Sequence, residues 1–243
     1  CTVRMTTGID GWVWSLNGEH FSKYEPFEEE AYLFMRTVTQ ERGVEIMVGE
    51  TISFIEGEPA RARTEIGERS AMRVLEFDLE PGESVVYEKY MVVYTVNDVP
   101  RPLEATRRDL AQSVERGFDP VLAEHQAVWD AMWDRSGIDI EGDKRAQALL
   151  RYNIYQNIIA TPAHADHLPV GARGLSCQAY QGSAFWDQEI FNLPMFLYTR
   201  PEVARNLLIY RYKTLNGARK KARDLGYYGA FYAWVSADTG EEV

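Results

Sequence analysis

Residues 182–194 read GSAFWDQEIFNLP, and within a few positions they set the rings of Phe185 and Trp186 beside the carboxylates of Asp187 and Glu189. Rings alone would belong to a core, and carboxylates alone to a surface. Together they suit a cleft in which a polar, ring-shaped molecule stacks on an aromatic face and hydrogen-bonds to an acid, which is the outline of a sugar site. Two roles stand open for Asp187. Asp is a favoured helix N-cap and can start the segment that follows, or its carboxylate can bind a ligand hydroxyl. Glu189 lies two positions on, and residues two apart do not share a helix face. Glycoside chemistry needs carboxyl groups on opposite sides of the scissile bond, so these two are not a matched acid and base. The stretch reads as a binding motif.

Residues 180–234 hold thirteen aromatic side chains. Tyr and Trp present an apolar face with a polar edge, which fits a wet cleft. Packing in a helical core is the ordinary role for most of them, and Phe191, Phe196 and Tyr210 are assigned to it. His164 and His167 of HADH have the i, i+3 spacing of metal ligands. Pro162 and Pro169 flank them and no third ligand is near, which points to a surface loop rather than zinc. GARGLSC and ADTGEE contain glycine, yet neither matches a Walker or Rossmann phosphate cradle, and no nucleophile-elbow serine occurs.

The elements that must position these groups change character along the chain. AYLFMRTVT (31–39), VEIMVGETISFIEG (44–57), AMRVLEFDLE (71–80) and SVVYEKYMVVYTV (84–96) are rich in β-branched and aromatic residues. Such strands at short spacing, with no helix between them, predict an antiparallel sandwich. After NDVPRP (97–102) the period becomes helical. Val121, Leu122, His125, Val128, Trp129, Met132 and Trp133 fall on one helix face, and Leu103, Leu110 and Val114 form a weaker stripe before them. A linker of two helices is expected there. From residue 138 the chain stays helical. In TRPEVARNLLIYRY, Thr199 stands three residues before Glu202, a capping-box spacing, with Pro201 in the first turn. GARKKARDLG (217–226) ends on a glycine stop. The fold class is multidomain, β and then α.

The 243 residues are 45% hydrophobic and 26% charged, ordinary values for a soluble globular protein with length to bury a core. A formal net charge of −11 argues against nucleic acid as a partner, because a phosphate backbone needs a basic footprint. It equally disfavours an anionic membrane surface. No apolar run reaches the ~18 residues of a transmembrane helix, so no membrane partner is expected. Cys1 and Cys177 make no disulfide framework. With no signal peptide visible, a reducing, cytoplasmic setting is expected. The opening at Cys1, without Met, suggests a piece of a longer chain.

Residues 171–242 resemble, in order and in register, the central region of glycoside hydrolase family 65, which holds the maltose, kojibiose, nigerose and trehalose phosphorylases. The FWDxEIF-LP core, the RPE-AR-LL-YRY-TL-GARKKA helix and GA-Y-W-SADTGEE carry the resemblance. It implies part of an N-terminal β-sandwich over 1–100, a helical linker over 101–137, and the first part of an (α/α)6 catalytic barrel over 138–243. It implies that Trp186 and Asp187 contact the glucosyl unit in the −1 subsite, and Trp234 is the third substrate-binding candidate. The implied reaction is inverting phosphorolysis of an α-glucoside, releasing β-glucose 1-phosphate and a sugar acceptor. Inorganic phosphate is the co-substrate, and no metal or organic cofactor is implied. Phosphate is already an anionic nucleophile, so no carboxylate base is needed.

The family's general acid is a Glu expected downstream of Val243, with a phosphate-binding loop further on, so no catalytic residue is named within the chain. Glu189 and Glu241 do not align with that acid. The same likeness implies a homodimer. Two departures stand out: Ala233, Trp234 and Val235 replace a common Pro-Trp-Glu, and SCQAYQGSA replaces TGEGYRGHV. The first leaves the acceptor sugar open. A trehalase-type hydrolase of the same family, using water and a carboxylate base, remains an alternative. So does a non-catalytic carbohydrate-binding piece.

Overall fold

Alternating apolar and polar residues make the first part of the chain a stack of strands. Among the described residues of the computed structural model (1–15, 18–174 and 179–242), these strands are β1 (Thr2–Asp10), β2 (Phe21–Glu29), β3 (Tyr32–Thr39), β4 (Glu45–Glu56), β5 (Arg61–Ile66), β6 (Ser70–Asp78) and β7 (Val86–Thr95). They form two antiparallel sheets of order β1-β6-β5 and β2-β3-β4-β7. Ile9 and Ala71 of the first sheet meet Leu33 and Met35 of the second in one apolar cluster. Phe34, between those two on β3, points the other way. There it joins Met47 and Tyr90 under Leu110 of helix α1 (Pro102–Arg116), with Leu103 and Val114 packed beside them. The weaker stripe is therefore the face that covers the sheet. Gly49 on β4 makes room for it, since a Cβ there would lie 2.5 Å from Thr106 Cγ2 and 2.8 Å from Leu110 Cδ1.

One charged cluster crosses this core. Glu50 on β4 is fully buried. It pairs with Arg73 on β6 and, at 3.3 Å, with Lys89 on β7. Buried charge requires such partners. The strands that the sequence reading missed, β1, β2 and β5, all lie at sheet edges. β2 carries Pro26 among charged residues, and β5 reads RARTEI. Proline and charge are what edge strands use against further pairing, and they erase the apolar alternation.

The contacts divide the chain into two units, Cys1–Gln126 and Ala127–Val243. Helix α2 (Phe118–Ser136) carries the strong apolar stripe at the expected positions but buries only Ser136. In the second unit, α3 (Lys144–Ala160) is capped by Asp143, whose carboxylate accepts from the amides of Arg145 and Ala146, each at 3.0 Å. Then come the short strand β8 (Ala184–Phe185), a π-helical turn (Gln188–Asn192), α4 (Leu193–Thr199), α5 (Pro201–Lys213), α6 (Leu215–Asp224) and the short strand β9 (Val235–Ser236). Leu193 and Phe196 pack on Val203, Ala204, Leu207 and Val170 as the core of this unit. Gly226, at φ +80°, follows α6 as the expected stop.

The capping box at Thr199 does not form. Arg200 is the N-cap of α5 and makes no side-chain cap bond, while the Thr199 hydroxyl donates to the Met195 carbonyl at 2.9 Å and so closes α4. The preceding helix competes for the threonine and wins. Pro201 opens α5 as expected. Cys177, and residues 176–178 at the start of SCQAYQGSA, lie outside the described residues.

Candidate functional site

A ribbon of two residue pairs frames the site. Ala184 pairs with Ser236 and Phe185 with Val235, antiparallel. One step further out stand Trp186 and Trp234, their ring centroids 6.0 Å apart and their planes tilted by 56°. Residues far apart in sequence thus become neighbours through main-chain pairing. A cavity of about 710 Å³ opens against them, walled also by Tyr212, Phe231 and Tyr232. That volume lies in the range of small-molecule sites, and its lining is aromatic faces with a few polar groups.

The polar groups are Glu189, Arg211 and Lys221. Arg211, on α5, is only 8% exposed. Its Nε and Nη2 donate to the two Glu189 oxygens at 2.8 and 2.9 Å. Nη2 also donates to the Phe185 carbonyl at 2.9 Å, and Nη1 reaches Ser236 Oγ at 3.4 Å. Lys221, on α6, pairs with Glu242 at 2.8 Å and sits 4.5 Å from the centroid of the Phe231 ring. Glu242 accepts the Trp234 amide at 3.0 Å as well. The Lys221 hydrogen bond, helped by that amide, holds the Glu242 carboxyl below the usual range. Tyr210, just beside Arg211, is wholly buried and its hydroxyl donates to the Ala237 carbonyl at 2.6 Å. Burial pushes that hydroxyl's pKa up.

Asp187 goes elsewhere. It lines a second cavity of about 170 Å³ with Asn157, Arg173, Gln188 and Asn192. Its backbone is already helical and its side chain makes no capping hydrogen bond, so the cap role is not the one it plays. Gln188, 1% exposed, accepts the Val170 amide at 2.7 Å and donates to Glu189 at 2.6 Å. The four residues Trp186 to Glu189 are therefore shared between the cavities, with Trp186 and Glu189 on one as i, i+3 neighbours and Asp187 and Gln188 on the other.

The structure brings Trp186 and Trp234 together and sets Asp187 apart from them. Phe196 and Tyr210 are core, as expected. Phe191 is not: it is 64% exposed, with its ring 5.7 Å from that of Trp186. It sits in the π-helical turn beside Trp186, not in the helical core that its aromatic type suggested. His164 and His167 are both exposed in the loop after α3. Among the described residues no group of three or more His, Cys, Asp or Glu side chains is gathered to hold a metal. Arg211 and Gln188 were missed by sequence reasoning. Arg211 is 22 residues from Glu189, and no spacing rule links them.

A family description, "Glycosyl hydrolase family 65, N-terminal domain", matches residues 1–132, and "Glycosyl hydrolase family 65 central catalytic domain" matches 151–243. The chain belongs to glycosyl hydrolase family 65. Among its family 65 relatives is a 1,2-alpha-glucosylglycerol phosphorylase of Bacillus selenitireducens, 42% identical over 98% of this chain and 31% of the relative. A nigerose phosphorylase of Lachnoclostridium phytofermentans is 35% identical over 100% of this chain and 35% of its own length. A solved structure of a human-microbiome protein superposes with a TM-score of 0.85 at 21% identity, covering 99% of this chain and 32% of that one. At that identity it speaks for the fold alone. The chain spans about a third of the length of the curated relatives it matches.

Proposed function

We propose that this chain is the part of an inverting α-glucoside phosphorylase that carries the aromatic wall of the sugar site. The observation that carries the reading is the Trp186–Trp234 pair over a cavity of about 710 Å³. Tilted aromatic faces match the apolar faces of a pyranose, and polar groups at the cavity floor match its hydroxyls. Asp187, in the smaller cavity, is the candidate carboxylate for hydroxyls of the glucosyl unit. Phosphorolysis is favoured over hydrolysis because the family 65 relatives at 42% and 35% identity bear phosphorylase names.

In the proposed reaction a carboxylic acid protonates the glycosidic oxygen as its bond to C1 breaks. A phosphate oxygen bonds C1 from the opposite face, giving β-glucose 1-phosphate and the free acceptor. That acid is a Glu placed beyond Val243 in the full-length protein. Residues 1–100 belong to the sandwich, 101–137 to the linker and 138–243 to an (α/α)6 barrel, in a cytoplasmic homodimer. No helix among the described residues is long and apolar enough to cross a membrane. The test is to incubate the full-length protein with kojibiose, nigerose, maltose, trehalose and glucosylglycerol, with and without phosphate. Phosphate-dependent β-glucose 1-phosphate, unaffected by chelator, is expected. Glucose release that ignores phosphate would instead establish the trehalase-type hydrolase.

A further inference from the structure

We propose that the buried Arg211–Glu189 pair is the positioning device of the aromatic cavity, fixing Trp186 against Trp234 so that both faces engage one glucosyl unit. The proposal rests on the carbohydrate reading above. Its starting point is that the ribbon β8–β9 is too short to hold itself. It has two residue pairs, and isolated two-stranded ribbons are marginal even when longer. Some other contact must fix the two tryptophans at 6.0 Å.

Arg211 supplies that contact from a third element, α5. One guanidinium reaches Phe185, the residue before Trp186, at its carbonyl (2.9 Å). It reaches Ser236, two residues after Trp234, at its hydroxyl (3.4 Å). It grips Glu189, one helical turn after Trp186, through both carboxylate oxygens at 2.8 and 2.9 Å. The Arg211 carbonyl also accepts the hydroxyl of Tyr232, another wall of the cavity, at 3.1 Å. Each contact falls within three residues of one of the two rings. The planar fork makes several directed bonds at once, which a lysine ammonium at the same place cannot reproduce. The apolar core of the unit, Val170, Leu193, Phe196, Val203, Ala204 and Leu207, lies outside this cluster. The pair's contacts are concentrated on the cavity rather than on the packing that holds the helices together.

The test uses the full-length protein. Two indoles this close and tilted couple as excitons and give a circular-dichroism couplet. Trp129 and Trp133, 6.1 Å apart, contribute another, so the difference between wild type and Trp186→Phe defines the cavity's own signal. Arg211→Lys is expected to lose that difference signal while keeping the helical spectrum. It is also expected to weaken β-glucose 1-phosphate binding, read by calorimetry, about tenfold, a modest part of the ~10²-fold that a 1 Å misplacement can cost. If the couplet survives in Arg211→Lys while Trp186→Phe weakens binding, the carbohydrate reading stands and the positioning proposal is overturned. If Trp186→Phe leaves binding unchanged, the carbohydrate reading of this cavity fails and the proposal falls with it. Should Arg211→Lys not fold, Glu189→Gln carries the same comparison. If neither folds, the pair is a folding element and the proposal is overturned.

Discussion

Asp187 opens the π-helical turn yet caps nothing, since its side chain makes no capping hydrogen bond. A carboxylate in that position is available to a ligand without loss to the helix. Charged hydrogen bonds contribute ~1.5–3 kcal/mol each, and those to a sugar strengthen as its ring flattens toward the transition state. Asp187→Asn in the full-length protein should therefore lower kcat/KM by about a hundredfold, two tenfold steps of ~1.4 kcal/mol. Its melting temperature should stay within a degree or two of wild type, about what a change of ~0.5 kcal/mol or less would give. Steady-state kinetics and a melt on that variant decide the matter, and near-normal turnover would end the ligand assignment. At this scale the sequence was readable where chemistry is local. Trp186 and Asp187 announce themselves by standing side by side, whereas Arg211 does not, because its meaning comes from Glu189, Phe185 and Ser236, all more than twenty positions away. Phe191 misled for the opposite reason. Its aromatic type reads locally as core, yet it stands 64% exposed beside Trp186.

Among the elements, the strands that lie inside the sheets were legible and those at the edges mostly were not. β3, β4 and β6 are interior strands whose apolar residues face partners, so their composition shows. β2 and β5 face a partner on one side only, and Pro26 or alternating charge hides them. The helix α1 could be found by its stripe, but not the glycine that lets it lie close. Gly49→Ala puts a methyl 2.5 Å from Thr106 Cγ2 and 2.8 Å from Leu110 Cδ1. Those side chains or the helix must give way, so denaturant melts should show a loss of ~1–3 kcal/mol, the usual range for overpacking. In the second unit the tie from Lys221 on α6 to the Trp234 segment runs through Glu242. Its carboxyl titrates below its ordinary 4.5 in the folded state, chiefly through the Lys221 hydrogen bond. The folded pKa being the lower one, Glu242 contributes stability that is fully present above about pH 4.5 and is lost as pH falls through the folded value. Wild type should therefore melt above Glu242→Gln at pH 7, and the gap should close in acid. A gap that stays constant as the pH is lowered through the acid range would refute the assignment.

On the scale of the whole molecule, the second unit leaves many large apolar side chains in water. Tyr198 is 89% exposed, Tyr212 76% and Trp234 62%, and Ile190, Phe191, Leu197 and Leu208 are exposed as well. Trp234, Tyr212 and Leu208 wall the cavity, and for the rest so many exposed apolar side chains in one unit fit a surface that other protein covers. The chain spans about a third of its curated relatives, and on the function proposed above the further residues that would cover the surface would also carry the acid and the phosphate loop. Both expectations can be tested together. The 243 residues alone, purified at micromolar concentration, should bind a hydrophobic dye and elute as mixed oligomers. Given α-glucosides and phosphate, they should release no β-glucose 1-phosphate. The full-length protein should do neither of the first two things and should turn over. A monodisperse, dye-silent chain would mean that the apolar surface is a finished exterior. Phosphate-dependent turnover by the 243 residues would mean that the acid lies within them, with Glu189 and Glu241 the first carboxylates to replace. Glu189 already spends both oxygens on Arg211 and Glu241 is tied to Lys220 at 2.7 Å, so neither carboxyl is free to reach a glycosidic oxygen. No product from the chain alone is therefore the expected result.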